Sequence, residues 1–216
     1  MSEMELNLFK YGSQLKSIPD EYEDLDRETV KDRIREAKED LGDNLILLGH
    51  NYQQKDIFEL CDFTGDSYKL SKKAAELTDT EYVVFCGVSF MAESADILTA
   101  DHQDVMLPSM AAACPMAGMA EMVQVEQAWN NLTEVVPEED VIPVTYMNSY
   151  ADLKAFCARK GGTVCTSSNA ETIFEWAFEQ DKKIFFFPDE HLGRNVATFL
   201  DIPDERQPLW NPWAGD

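Results

Sequence analysis

"NLILLGH" (44–50) is a short apolar run that ends in a glycine and a histidine. Unbroken Leu and Ile, with no alternating polar residue, mark a strand covered on both faces, as in a parallel sheet. Downstream come a turn, the helical pattern "DIFELCDF" (56–63) and "TGDSYKLSKKAAEL" (64–77), where Asp66 or Ser67 can cap a helix. "EYVVFCGV" (81–88) reads as a second buried strand, "SFMAESADIL" (89–98) as a helix capped by Ser89, and "DVMLP" (104–108) as a third strand. Upstream, "DLDRETVKDRIREAKEDLG" (24–42) sets Val30, Ile34 and Ala37 at helical spacing and stops at Gly42. Residues 1–40 are therefore expected to form an amphipathic helical lead-in.

The same grammar restarts near residue 141. "VIPVTYMN" (141–148) is a strand ending in polar residues, followed by the helical "SYADLKAFCARKGG" (149–162). "TVCTSSNAETIFEWAFEQ" (163–180) runs from a short strand through a Ser/Asn cap into a helix, and "KIFFFPDEHLGRNVATFL" (183–200) repeats strand and helix. Aligning Leu45 with Val141 gives an offset of about 96, and Val83 with Ile184 one of about 101, so the chain holds two copies of one unit of about 100 residues. The fold class expected is α/β: two pseudo-repeated three-layer αβα sandwich domains with parallel sheets. The first is placed at 41–108 and the second at 109–210, including the loop that carries Cys114.

In such folds ligands gather at the carboxyl ends of strands, beside helix N-termini. The tips are "GHNY", "TGDS", "CGVSF", "TYMN" and "CTSSN", each placing hydroxyl, amide or imidazole groups where a strand runs out. Their neutral donors, with helix N-terminal N–H groups, suit an anionic ligand. His50, Asn51 and Tyr52 together offer a proton carrier, an amide and a phenol. Ser67 is a cap, a ligand group or both. Tyr146 and Asn148 alternate along a strand and share a face, for binding or for packing. Of Ser167, Ser168 and Asn169, one must cap a helix.

The chain has 216 residues, 44% of them hydrophobic, enough to bury a core. It carries 41 acidic against 18 basic residues, a formal net charge of −23. That sign argues against a nucleic-acid partner. The acids are dispersed, which suits a surface adapted to high salt, the alternative being an ordinary acidic protein. No apolar run approaches 18 residues, so no membrane span is expected. The acidic N-terminus does not read as a signal peptide, and a cytoplasmic location is expected. Five cysteines occur singly, with no C-x-x-C pair. Cys61, Cys86 and Cys157 read as small buried hydrophobes. Cys114 lies in "MLPSMAAACPMAGMAEM" (106–122), which is either a helix of small residues packed on a core or a loop holding a thiolate dry for a metal.

"LLGHNYQ", "DFTGDSYKLSKKA", "FCGVSFMAESADIL", "AAACPMAGM", "YMNS", "CTSSNA" and "FFPDEHLGRNVA" stand in the order and spacing of the quinolinate synthases, which the chain resembles from about Leu45 to Leu209. The resemblance implies three αβα domains about a pseudo-threefold axis, of which the repeats here are the first two and the third is expected to be absent. It implies a transferase that condenses iminoaspartate with dihydroxyacetone phosphate to quinolinate, in NAD biosynthesis. An aspartate oxidase or dehydrogenase would supply the iminoaspartate. It implies a [4Fe–4S] cluster, with Cys114 as one of three cysteine ligands and the others beyond this chain. It implies substrate binding by His50, Ser67, Tyr146, Met147, Asn148 and Ser167, and acid/base work by Tyr52. Beside an iron centre and helix N-termini, the Tyr52 phenol is expected to ionise more readily than usual. A chain with only part of that site has a second reading, a non-catalytic small-molecule or partner-binding module on the same scaffold.

Overall fold

The structure is a computed structural model that describes residues 20–212. The lead-in expected over 1–40 therefore lies outside the described residues up to residue 19. Its remainder forms α1 (Asp20–Glu23) and α2 (Arg27–Leu41). The Asp26 side chain starts α2 by accepting the N–H groups of Glu28 and Thr29 at 3.0 and 3.1 Å. Gly42, at φ +52°, ends it, as the sequence indicates.

The chain divides into two compact units, between Cys114 and Pro115. In the first, a 3₁₀ turn (Gly42–Asn44) leads into β1 (Leu45–His50). There follow α3 (Lys55–Phe58), β2 (Phe63–Gly65), α4 (Ser67–Glu76), β3 (Tyr82–Cys86), α5 (Ser89–Leu98) and β4 (Asp104–Met106). The strands form one parallel sheet in the order β2-β1-β3-β4. Ile46 to Gly49 are all buried, as both-face coverage requires. Leu48, Val83, Phe85 and Phe90 have no exposure, and each such side chain contributes about 1.5–3 kcal/mol.

The second unit contains α6 (Met122–Thr133), a 3₁₀ turn (Glu138–Asp140), β5 (Val141–Tyr146), α7 (Ala151–Arg159), β6 (Thr163–Cys165), α8 (Ala170–Glu179), β7 (Lys183–Phe187) and α9 (Glu190–Phe199). Its sheet is parallel, in the order β6-β5-β7. Leu45 stands opposite Tyr82 as Val141 stands opposite Lys183, and Leu48 opposite Phe63 as Val144 opposite Thr163. Over three strands the two sheets share order and register, so the repeat read from sequence is a repeat of structure, with β4 added in the first. Each copy is an α/β unit with a parallel sheet layered between helices.

The structure corrects several details. "DIFELCDF" is one short helical turn, and its end becomes β2, an edge strand of three residues. Its exposed Phe63 and Thr64 give no burial signal. α6 was not anticipated. It occupies the place in the second unit that α2 holds in the first, a helix followed by a 3₁₀ turn and the leading strand. Its start is marked by the Gln124 side chain, which accepts the Glu121 N–H at 3.0 Å. Ser89 is the first residue of α5 rather than its cap. The strand holding Tyr146 ends there, so Asn148 lies in the following bend and does not share a strand face with it. The small-residue stretch holding Cys114 is a loop of turns up to α6, not a helix.

Candidate active site

β1 delivers His50 to the sheet edge, and the chain then turns back on itself. The Gln53 N–H donates to the His50 carbonyl at 2.9 Å, and the Asn51 N–H to the Gly65 carbonyl at 3.0 Å. The Gln53 side-chain amide donates to the Cys86 carbonyl at 3.1 Å. The turn is thus tied to the ends of both neighbouring strands, which fixes the two rings it carries. The His50 and Tyr52 centroids are 4.1 Å apart, at 35°.

The Tyr52 N–H points at His50 Nδ1, at 3.4 Å. That long contact makes Nδ1 the acceptor and leaves the proton on Nε2, free to donate outward. Burial pushes the imidazole below its ordinary pKa, and the Asp66 carboxylate opposes this only in part. His50 is therefore a neutral donor at pH 7. The Tyr52 phenol lies 3.9 Å from Met91 Sδ, and the residue is 54% exposed. Partial burial first, and an electrostatic interaction with nearby Cys114 second, push its pKa up. In the chain itself the phenol holds its proton more tightly than usual.

Cys114 is half-buried, in the loop pinned to α5 by the Ser89 N–H donating to the Ala112 carbonyl at 2.8 Å. The loop through Cys114 therefore belongs with the first unit, and its remainder from Pro115 with the second. Asp66, not Ser67, caps α4, accepting the Lys69 N–H at 2.9 Å. Ser67 is the first helical residue, half-buried at an N-terminus that favours anions. The first unit thus gathers His50, Tyr52 and Cys114, with Asp66 close enough to act on His50.

The second unit places Tyr146, Met147, Asn148 and Ser167 at its own strand ends. By sheet register Tyr146 is the counterpart of His50, and Ser167 follows β6 as Ser67 follows β2. Met147 repeats the Asn51 bond, its N–H donating to the Cys165 carbonyl at 2.7 Å, and its side chain is 5% exposed. The buried Ser149 hydroxyl donates to the Tyr146 carbonyl at 2.7 Å and locks the turn. Ser167 is exposed on a tip whose form is set by Asn169 Oδ1, which accepts the Thr166 N–H at 2.6 Å. Gln53 and Ser149 escaped the sequence reading, since each works by holding a neighbour.

For a metal centre the described residues offer little: no group of three or more His, Cys, Asp or Glu is placed to hold a metal ion. Cys114 is a single thiol, short of the donor set an iron–sulfur cluster needs. Cys165 has no exposure and lies in the core with Val144, Ala170 and Phe174, its thiol pushed up to about 12 by burial. Among the described residues no helix is long and apolar enough to cross a membrane. What the arrangement offers is a neutral imidazole donor stacked on a protonated phenol, beside a helix N-terminus. That combination has the chemistry to hold an anionic oxygen and to exchange a proton with it.

The family model described as "Quinolinate synthetase A protein" matches residues 32–212. A quinolinate synthase of Halobacterium salinarum is 56% identical over 99% of this chain and 56% of its own length. One from Haloarcula marismortui is 57% identical over 99% of this chain and 56% of its own. One from Corynebacterium glutamicum is 49% identical over 90% of this chain and 50% of its own. The chain spans about half the length of these relatives.

Proposed function

The chain belongs to the quinolinate synthetase A family, and from that premise we propose that it serves the condensation of iminoaspartate with dihydroxyacetone phosphate to quinolinate, phosphate and water, for NAD biosynthesis. The observation that carries the reading is the stacked His50–Tyr52 pair at the end of β1, held neutral and tied to both adjacent strands.

His50 Nε2–H donates to a carboxylate or phosphate oxygen of the substrate, and because the ring is neutral it needs no counter-charge. Ser67 and the N–H groups of the first turn of α4 hold a second anionic oxygen. Tyr146, Asn148 and Ser167 stand at the strand ends of the second unit as that unit's own candidates for holding an anionic oxygen. Met147 is buried with its N–H committed, so it spaces Tyr146 from Asn148. Tyr52 enters protonated and acts first as an acid toward an oxygen that gains charge. It then acts as a base in the proton shifts of isomerisation and ring closure. A [4Fe–4S] cluster, with Cys114 as one ligand, belongs to the proposal. Since Cys114 is the one thiol among the described residues assigned to it, no step here runs through it. An aspartate oxidase or dehydrogenase supplies iminoaspartate, and the setting is a cytoplasm of high salt, which the charge of −23 supports.

In the full-length enzyme Tyr52→Phe should keep the fold and substrate binding and lower turnover on the order of 10²- to 10⁴-fold. Turnover near the parent rate removes the acid/base role. The salt setting has its own check: melting temperature should rise from low salt to about 2 M KCl, and a flat profile rejects it.

A further inference from the structure

Cys61 and Cys86 take no part in the chemistry above, and neither is the buried hydrophobe expected from sequence: both are half-buried. Gly49 of β1 is the parallel partner of Cys86 of β3. Paired residues of neighbouring strands direct their side chains to the same face of the sheet. A Cβ built on Gly49 would lie 2.4 Å from Cys61 Sγ and 3.2 Å from Cys61 Cβ. The Cys61 sulfur therefore occupies the space of the missing Gly49 side chain, next to the Cys86 side chain on that face. The two thiols are close enough to shift each other's acidity. Cys61 also has the Ile57 carbonyl at 3.2 Å as an acceptor. Within the pair the Cys61 thiol is pushed up and the Cys86 thiol down, so Cys86 is the more acidic of the two.

We propose that Cys61 and Cys86 form a reactive dithiol site that closes to an intramolecular disulfide by exchange with a small-molecule disulfide. Cys86, as thiolate, attacks one sulfur of the reagent. The reagent's S–S bond breaks, a protein mixed disulfide forms, and the departing thiolate takes up the proton that Cys86 released. Cys61 then attacks the Cys86 sulfur, and the second reagent thiolate leaves with the Cys61 proton. The protein dithiol is oxidised to a disulfide and the reagent is reduced to two thiols. Cys86 is also the residue whose carbonyl receives Gln53, so the bond closes beside a tie of the His50–Tyr52 turn.

The test treats the reduced 216-residue chain with dithiodipyridine, follows thiopyridone release, and maps the alkylated peptides. The folded chain should yield a linked Cys61–Cys86 peptide, with two equivalents of thiopyridone from that pair. Cys61→Ser should stop at a persistent mixed disulfide on Cys86. Unfolding the parent chain in denaturant should slow the second step on the order of 10²-fold, since it removes the fixed proximity. That comparison needs no variant to fold. A stable adduct on Cys86 in the folded parent chain, linkage of Cys86 to Cys114 instead, or equal rates in folded and unfolded chain would each overturn the proposal.

Discussion

Leu47 and Pro143 hold the same place in their sheets, one step before the short edge strand begins to pair, and Asp62 and Gly162 hold the matching place across from them. In the first unit the Leu47 N–H donates to Asp62 Oδ2 at 2.8 Å, and the Asp62 N–H returns to the Leu47 carbonyl at 2.8 Å. Lys38 of α2 donates to Asp62 Oδ1 at 2.7 Å and to the Leu60 carbonyl at 2.6 Å. In the second unit proline has no N–H to satisfy. Gly162 lies so close that a Cβ there would meet the Pro143 carbonyl oxygen at 1.9 Å. One repeat answers a buried donor with a carboxylate and the other deletes the donor. The choice spreads to the leading helices. α2 is tied down by Lys38, and by Lys31 on Asp56 at 3.3 Å, whereas α6 buries Trp129 among Phe156, Phe185 and Phe187. Identical registers therefore do not require identical chemistry.

Gly162→Ala should have the largest effect, about 3 kcal/mol or more of lost stability in denaturant unfolding, because the clash is with backbone. Gly49→Ala meets only a side chain and should lose less. If both variants melt alike, the contrast drawn between backbone and side-chain obstruction is wrong.

Next in size, Asp62→Ala should lose about 2 kcal/mol, the worth of a charge-assisted bond to a buried N–H. In a Leu47→Pro background, which imitates the second unit, the same change should cost about 1 kcal/mol less. An additive double-mutant cycle would show that the carboxylate serves Lys38 alone.

The smallest effect concerns pH. Burial holds the folded-state pKa of His50 below 6.5. The folded state then binds fewer protons than the unfolded chain, so this contribution is whole above about 6.5 and is lost as pH falls through the folded value. Asp26, also depressed, acts only below about 3.8, so the two windows separate. His50→Gln should abolish the higher-pH loss, and an NMR titration should find His50 changing below 6.5. A midpoint above 6.5 reverses the sign and denies the neutral donor.

The strands that carry the site were legible because each is a continuous apolar run, and the two offsets read from sequence became the two registers of the sheets. β2 was not legible. Phe63 and Thr64 are exposed, and the strand exists because β1 offers an unpaired edge at Leu48. α6 was missed because its start rests on a Glu121–Gln124 pair that only becomes a cap once folded. Pro143 in a central strand would ordinarily argue against a strand, and it is tolerated only because its N–H side has no ladder partner there. At the site, His50, Tyr52 and Ser67 could be picked out by residue type. The raised Tyr52 phenol could not, since it depends first on burial and second on Cys114, both set by the fold.

The space over Gly49 carries a consequence for how the sequence can drift. A sulfur from residue 61 stands where the side chain of residue 49 would be, so the two positions share one volume. Enlarging either alone crowds the sheet, and shrinking Cys61 alone leaves a void. Only compensating exchanges stay neutral, which makes 49 and 61 an epistatic pair despite their separation in sequence. Substitutions there should arrive together among descendants of this chain, with the smaller residue at 61 fixed first.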